Sequence, residues 1–105
     1  LKPVAGELVI DKNSASAFNS SNIDQLLRNL GIDSLVLTGV ATNACVETTS
    51  RDAADRGYKC ILVDDACATI HGQDVHDMTM WNFSTLFGKV LKTEDVIQLF
   101  DGKDR

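Results

Sequence analysis

Proline is almost absent from this chain. Pro3 is the only one, so beyond the first few residues nothing deprives a helix or a central strand of a backbone donor. Long apolar runs are missing too: none approaches the roughly 20 residues that cross a bilayer as a helix, and no secretory leader pattern opens the chain. Basic charge is scarce. Ten Lys and Arg stand against 15 Asp and Glu, for a formal net charge of −5, and no basic patch interleaved with aromatics is present, which argues against nucleic acid as a partner. The three cysteines, Cys45, Cys60 and Cys67, cannot close a disulfide set and include no C-x-x-C pair. Such usage suits a reducing compartment, and the cytoplasm is the expected location. His71 and His76 are five apart, do not share a helix face, and have no carboxylate cluster to complete a metal site, so neither metal nor cofactor is expected. His76 reads as a helix-packing or surface residue.

What remains is an acidic chain of 105 residues, enough for one domain with a real core. Strand and helix signals alternate along it, the pattern of crossover units on a parallel sheet. Glu7-Leu8-Val9-Ile10-Asp11 reads as a first strand, followed by a polar loop over 12–20. Ser21 is placed to cap a helix with Ile23, Leu26, Leu27 and Leu30 on one face, closed by Gly31. Leu35 to Leu37, extending to Val40, form the next strand, and a helix runs from about Ala44 to Arg56, with Arg51–Asp55 and Asp52–Arg56 spaced as i,i+4 pairs. Cys60 to Asp64 form another strand and Gln73 to Phe87 another helix, with Val75, Thr79, Phe83 and Leu86 near helical spacing. Trp81, Phe83 and Phe87 read as core or subunit interface. Val90-Leu91 is a short strand, and Thr93 is placed to cap a last helix carrying Val96, Ile97 and Phe100.

In such folds ligands bind at the carboxyl ends of the strands. Lys12, Ala41 to Cys45, and Asp64 to Cys67 all fall at strand ends. The run Leu35-Val36-Leu37-Thr38-Gly39-Val40-Ala41-Thr42-Asn43-Ala44-Cys45 carries the sharpest signal. It is a strand, a tight turn, and a helix whose first turn holds Cys45, where free backbone N–H groups and the positive end of the helix dipole favour a thiolate. A cysteine there is poised as a nucleophile; the competing reading is a small buried apolar residue. Cys60, inside a strand run, and Cys67 take that second reading. Thr42 and Asn43 lie between the turn and Cys45. One of them is expected to cap the helix, and either could touch substrate.

Several motifs together resemble one known family. Gly39-Val40-Ala41-Thr42-Asn43-Ala44-Cys45-Val46-Glu47, Arg51-Asp52-Ala53 and Val63-Asp64-Asp65-Ala66-Cys67-Ala68 look like the core of the isochorismatase-like cysteine hydrolases. Lys12-Asn13-Ser14-Ala15-Ser16-Ala17-Phe18 resembles that family's K-x-x-x-S-A-F segment, and His76 with Phe87-Gly88-Lys89-Val90 resembles its late helix and following strand. The resemblance implies a doubly wound, Rossmann-like three-layer α/β domain, with Cys45 as nucleophile and Lys12 as the lysine of an Asp–Lys–Cys triad. It further implies a cis peptide at Val40–Ala41, aiming the Ala41 N–H beside the Cys45 N–H as an oxyanion hole. Two such donors are each worth about 3 kcal/mol of barrier.

The family's triad aspartate lies upstream of the lysine segment, and the chain has no match for it. Asp11 adjoins Lys12 and should point the opposite way along a strand, while Asp64 and Asp65 match a different, structural motif. With Leu1 opening directly onto a strand pattern, residues 1–105 read as the C-terminal portion of a single domain lacking one or more N-terminal strands. The missing part is expected in a removed segment or a companion chain, and its loss should leave two neighbouring strands with open edges. The implied activity is hydrolysis of a C–N bond in a small amide or ureido compound, in a dimer or tetramer. Ureidoacrylate, biuret and N-carbamoylsarcosine hydrolases look most similar. Nicotinamidase is the near rival. Isochorismatase proper keeps no cysteine at this position. Non-catalytic alternatives are a scaffold fragment and a redox-sensing thiol, with Cys67 close enough in the sheet to approach Cys45.

Overall fold

A computed structural model describes residues 2–102. The chain runs through α1 (Ala17–Ser20), α2 (Ile23–Asn29), β1 (Ser34–Val40), a single wide π turn (Thr42–Val46), α3 (Glu47–Asp55), β2 (Lys59–Ala68), α4 (Gln73–Leu86), β3 (Lys89–Leu91) and α5 (Thr93–Phe100). The three strands form one parallel sheet in the order β1-β2-β3. Parallel neighbours require crossovers, supplied here by α3 and α4.

Side-chain alternation on the strands sorts the layers. Cys60 and Leu62 of β2 join Phe18, Val46, Ala53, Tyr58, Met80 and Phe83 in one buried cluster, with Leu35, Leu37 and Val90 packed against it. That face is covered by the π turn, α3 and α4. Val63 points the other way and is buried, as is Val96 of α5. Helices therefore flank both faces, and the expected α/β, doubly wound parallel architecture is what the chain adopts. Leu62 and Phe83 are almost wholly excluded from solvent, each worth about 1.5–3 kcal/mol of transfer free energy. β1 is less protected. Its α5-side residues Val36 and Val40 are exposed, and its outer edge is unpaired among the described residues.

Local readings need correction where a partner decides them. Glu7 to Asp11 is not a strand: it is exposed and irregular, because extended residues become a strand only when a neighbour takes their hydrogen bonds. The three strands present pair directly, so no gap lies among them, and the open edges among the described residues are the outer sides of β1 and β3. The loop over 12–20 contains the short α1, capped by Ser16, whose side chain accepts from Phe18 N–H at 3.2 Å. Asn22, not Ser21, is the cap residue of α2, although Ser21 Oγ still accepts from Ile23 N–H at 3.3 Å.

Arg51 pairs with Glu47 at 2.8 Å instead of Asp55. Acid placed N-terminal to base is the better order on a helix, and the guanidinium also lies 4.7 Å over the Phe87 ring. The buried stripe of α4 is His76, Thr79, Met80 and Phe83, an i, i+3, i+4, i+7 set. It is rotated from the expected one, and Leu86 is exposed. Trp81 is exposed as well, while Phe83 is buried and stacks with Phe87 at 6.0 Å.

The strand from Cys60 runs on to Ala68, so Cys67 lies within β2. Leu37 pairs Leu62 and Gly39 pairs Cys67, two steps on β1 against five on β2. This bulge lifts Asp64 and Asp65 onto the carboxyl rim of the sheet.

Candidate active site

The strand β1 ends in a turn built from small residues. Gly39 has φ 134°, which side-chain-bearing residues rarely adopt, and the Val40–Ala41 peptide is cis. Ala41 then opens the π turn: its carbonyl accepts from Ala44 N–H at 3.1 Å and from Val46 N–H at 3.2 Å, the residues on either side of Cys45. Helix α3 follows directly. Cys45 is a free, half-buried thiol at the start of this helical stretch, as its position after a strand and turn suggested.

Lys12 reaches the same place from the N-terminal segment. It lines, with Leu37, Thr38, Val40, Cys45, Val46 and Thr49, a cavity of about 140 Å³ at the end of β1. Its Nζ donates to the Ser14 carbonyl at 2.8 Å, which curls the polar loop back on itself. The loop is tied to α3 by Ala17 N–H donating to Thr49 Oγ1 at 3.1 Å. The two cysteines read as apolar behave so: burial pushes the Cys60 and Cys67 thiols up from their ordinary range. Cys67 borders a separate cleft at the end of β2, not the Cys45 cavity.

Neither Thr42 nor Asn43 caps the helix; the cap residue is Ala41, with no side-chain bond to the turn. Thr42 is fully buried, and its Oγ1 lies 2.8 Å from His76 Nδ1. Asn43 reaches across to the loop after β2: Thr69 Oγ1 donates to Asn43 Oδ1 at 2.7 Å, and Asn43 Nδ2 lies 3.2 Å from His71 Nδ1. Asn43 thus stands at the rim, Thr42 beneath it.

The rim of β2 and β3 carries a second polar group, in a cleft of about 430 Å³. His76 Nε2 lies 2.6 Å from Asp64 Oδ1, and Lys92 Nζ donates to Asp64 Oδ2. The Lys92 ammonium first, and then His76, hold the Asp64 carboxyl below the ordinary carboxylate range, while Asp64 raises Lys92. Asp65 Oδ1 accepts both the backbone N–H and the hydroxyl of Thr93, each at 2.8 Å. The α5 terminus is therefore capped from a neighbouring strand and not by Thr93 itself. His76 is buried among these groups, a role its isolated place in the sequence did not reveal. Its position three and four residues before Thr79 and Met80 was the available signal. Among the described residues, no cluster of three His, Cys, Asp or Glu could hold a metal ion, and no helix is long and apolar enough to cross a membrane.

Comparison with known proteins places the sequence and the fold. Residues 1–95 match the isochorismatase domain. The chain is 38% identical over 100 residues to the ureidoacrylate amidohydrolase of Variovorax paradoxus strain S110, covering 95% of this chain and 40% of that one. A cysteine hydrolase from Pseudomonas syringae pv. phaseolicola superposes with a TM-score of 0.90 at 31% identity, over 95% of this chain and 52% of its own. An N-carbamoylsarcosine amidase from Thermoplasma acidophilum does so with a TM-score of 0.76 at 36% identity, over 90% of this chain and 52% of its own. The chain spans about half or less of the length of each. Motif, fold and sequence agree, and the chain belongs to the isochorismatase family.

Proposed function

We propose that this chain carries the nucleophilic half of a thiol-dependent amidohydrolase acting on a C–N bond of a small linear amide or ureide. The observation that supports this most directly is the shared cavity of Cys45 and Lys12 at the end of β1. The relatives named for ureidoacrylate and N-carbamoylsarcosine favour a carbamoyl group as the target.

The Lys12 ammonium stabilises the Cys45 thiolate by charge. The sulfur attacks the carbonyl carbon, and the carbonyl oxygen becomes an oxyanion held by the Ala41 and Cys45 N–H groups. The C–N bond then breaks, and the nitrogen leaves with a proton as amine or ammonia. Water attacks the thioester, the C–S bond breaks, and the acid departs as the thiolate is regenerated. Both steps need a carboxyl group to carry the proton. Asp64 and Asp65 are engaged by Lys92 with His76 and by Thr93, which leaves neither free for this role; the resemblance assigns it to a triad aspartate upstream of the lysine segment. Asn43, at the rim, is placed to meet substrate; buried Thr42 serves from behind. We place the protein in the cytoplasm, as a homo-oligomer with exposed Trp81 as one element of the subunit contact.

The test is mass spectrometry of the native full-length protein quenched during turnover of ureidoacrylate and of N-carbamoylsarcosine. An acyl adduct on Cys45, with turnover lost in Cys45→Ala, is the expected result. A turnover-competent Cys45→Ala protein would refute the thiol mechanism. Hydrolysis of nicotinamide in preference to both ureides would move the substrate to the nicotinamidase class.

A further inference from the structure

The buried polar chain behind the nucleophile turn takes no part in the steps above. Asp64 is held in its ionised form by Lys92 and His76, and an ionised carboxylate only accepts hydrogen bonds. The nitrogen facing it, His76 Nε2 at 2.6 Å, must therefore carry the proton. The other ring nitrogen, Nδ1, shares a hydrogen bond with the Thr42 hydroxyl across 2.8 Å, and a hydroxyl can serve that nitrogen as donor or as acceptor. Proton placement in this row is assigned from the hydrogen-bond network. The row links Thr42 to His76 to Asp64, with Lys92 closing the far end.

Valine would fill the site of Thr42 without asking for a partner. A fully buried hydroxyl left without a hydrogen bond destabilises the fold. Here it is met by a histidine that is itself buried and oriented by an ion pair. Thr42 directly follows Ala41, whose peptide starts the turn, and the turn ends around Cys45. Anchoring the Thr42 side chain to α4 fixes the backbone on both sides of it.

Resting on the thiol-hydrolase reading, we infer that His76 is a positioning residue: oriented by Asp64, it clamps Thr42 and so holds the Ala41 and Cys45 N–H groups where the oxyanion forms. A displacement of that turn by an ångström costs about 10²-fold in rate. Alkylation by a small diffusing probe needs the thiolate but not its alignment with the two N–H donors, so such a probe should not register the loss. Iodoacetamide is such a probe, because displacement of iodide at a saturated carbon builds up no oxyanion.

Four measurements on His76→Ala and Thr42→Val in the native full-length protein test this. In the ureidoacrylate assay kcat falls by about 10²-fold while KM stays within about threefold. Alkylation of Cys45 by iodoacetamide stays within about twofold. Hydrogen exchange quickens in the peptide spanning 40–46 before it does in β2. Thr42→Ser, which restores the hydroxyl, recovers most of the kcat lost in Thr42→Val. An unchanged kcat, or a parallel loss of turnover and alkylation, overturns the clamp. Should wild type turn over no amide, the function proposed above fails, and the exchange measurement still decides: an unaltered 40–46 peptide in His76→Ala overturns the inference.

Discussion

The ends of β1 and β2 lie side by side on one rim, yet they treat charge in opposite ways. At β2 the larger cleft holds Asp64, Asp65, His76 and Lys92, and each of these is engaged by another protein group. At β1 the smaller cavity holds a free thiol and an ammonium whose bond goes to a neutral backbone carbonyl. Cleft size alone would favour the β2 end. Mutually satisfied charges hold the rim in shape, whereas a cation not neutralised by its neighbour still has charge to lend to a sulfur or a substrate.

The sharpest way to break this contrast is at the sulfur. Cys45→Ala should lower turnover by about 10⁴-fold or more while leaving thermal stability near wild type, since the residue is only half-buried. Retained turnover in purified Cys45→Ala protein would shift the chemistry toward the β2 cleft. Next in size is a change beneath both ends. Leu62 is fully buried opposite Leu37, immediately before the bulge, and Leu62→Ala should cost about 3 kcal/mol in denaturant unfolding. A cost below about 1 kcal/mol would mean that the two ends do not share one core. Smaller still, Lys12→Met should slow iodoacetamide alkylation of Cys45 at pH 6 by about tenfold. An unchanged rate would remove Lys12 from the site.

The two ends also differed in how well the sequence revealed them. The β1 end was legible because its signal is local: an apolar run, a glycine turn and a helix start place Cys45 within a few residues. The β2 end was not, because each of its assignments depends on a distant partner. His76 counts as polar in any periodicity and so hides the stripe it belongs to. Asp65 looks like a strand-end acid until Thr93 is brought beside it, 28 positions later. Thr42 looks like a cap because threonines before helices usually are, and only α4 shows it turned inward. The same reasoning explains the one element misread outright. Leu8, Val9 and Ile10 have strand character, but they pair with no strand among the described residues and lie outside the sheet.

The smallest expected effect lies in the pH dependence of the β2 end. Asp64 is held below its ordinary value of 3.8 first by the Lys92 ammonium, and Asp65 first by the Thr93 hydroxyl. A carboxyl depressed on folding binds fewer protons than its unfolded counterpart across the window between the two values. Its stabilisation is therefore complete above the unfolded value and is lost as pH falls through the folded one. Both groups reach solvent, which screens the effect. Melting followed by circular dichroism between about pH 5 and pH 2 should show Tm declining with acid, and Asp64→Asn should flatten that decline more than Asp65→Asn, because Asp64 is hydrogen-bonded to two side chains, Lys92 and His76, and Asp65 to that of Thr93. Equal slopes in the two variants would mean that the ion pair with Lys92 adds nothing beyond a neutral cap, and the paired charges of the β2 end would then be no firmer a scaffold than the open cavity beside them.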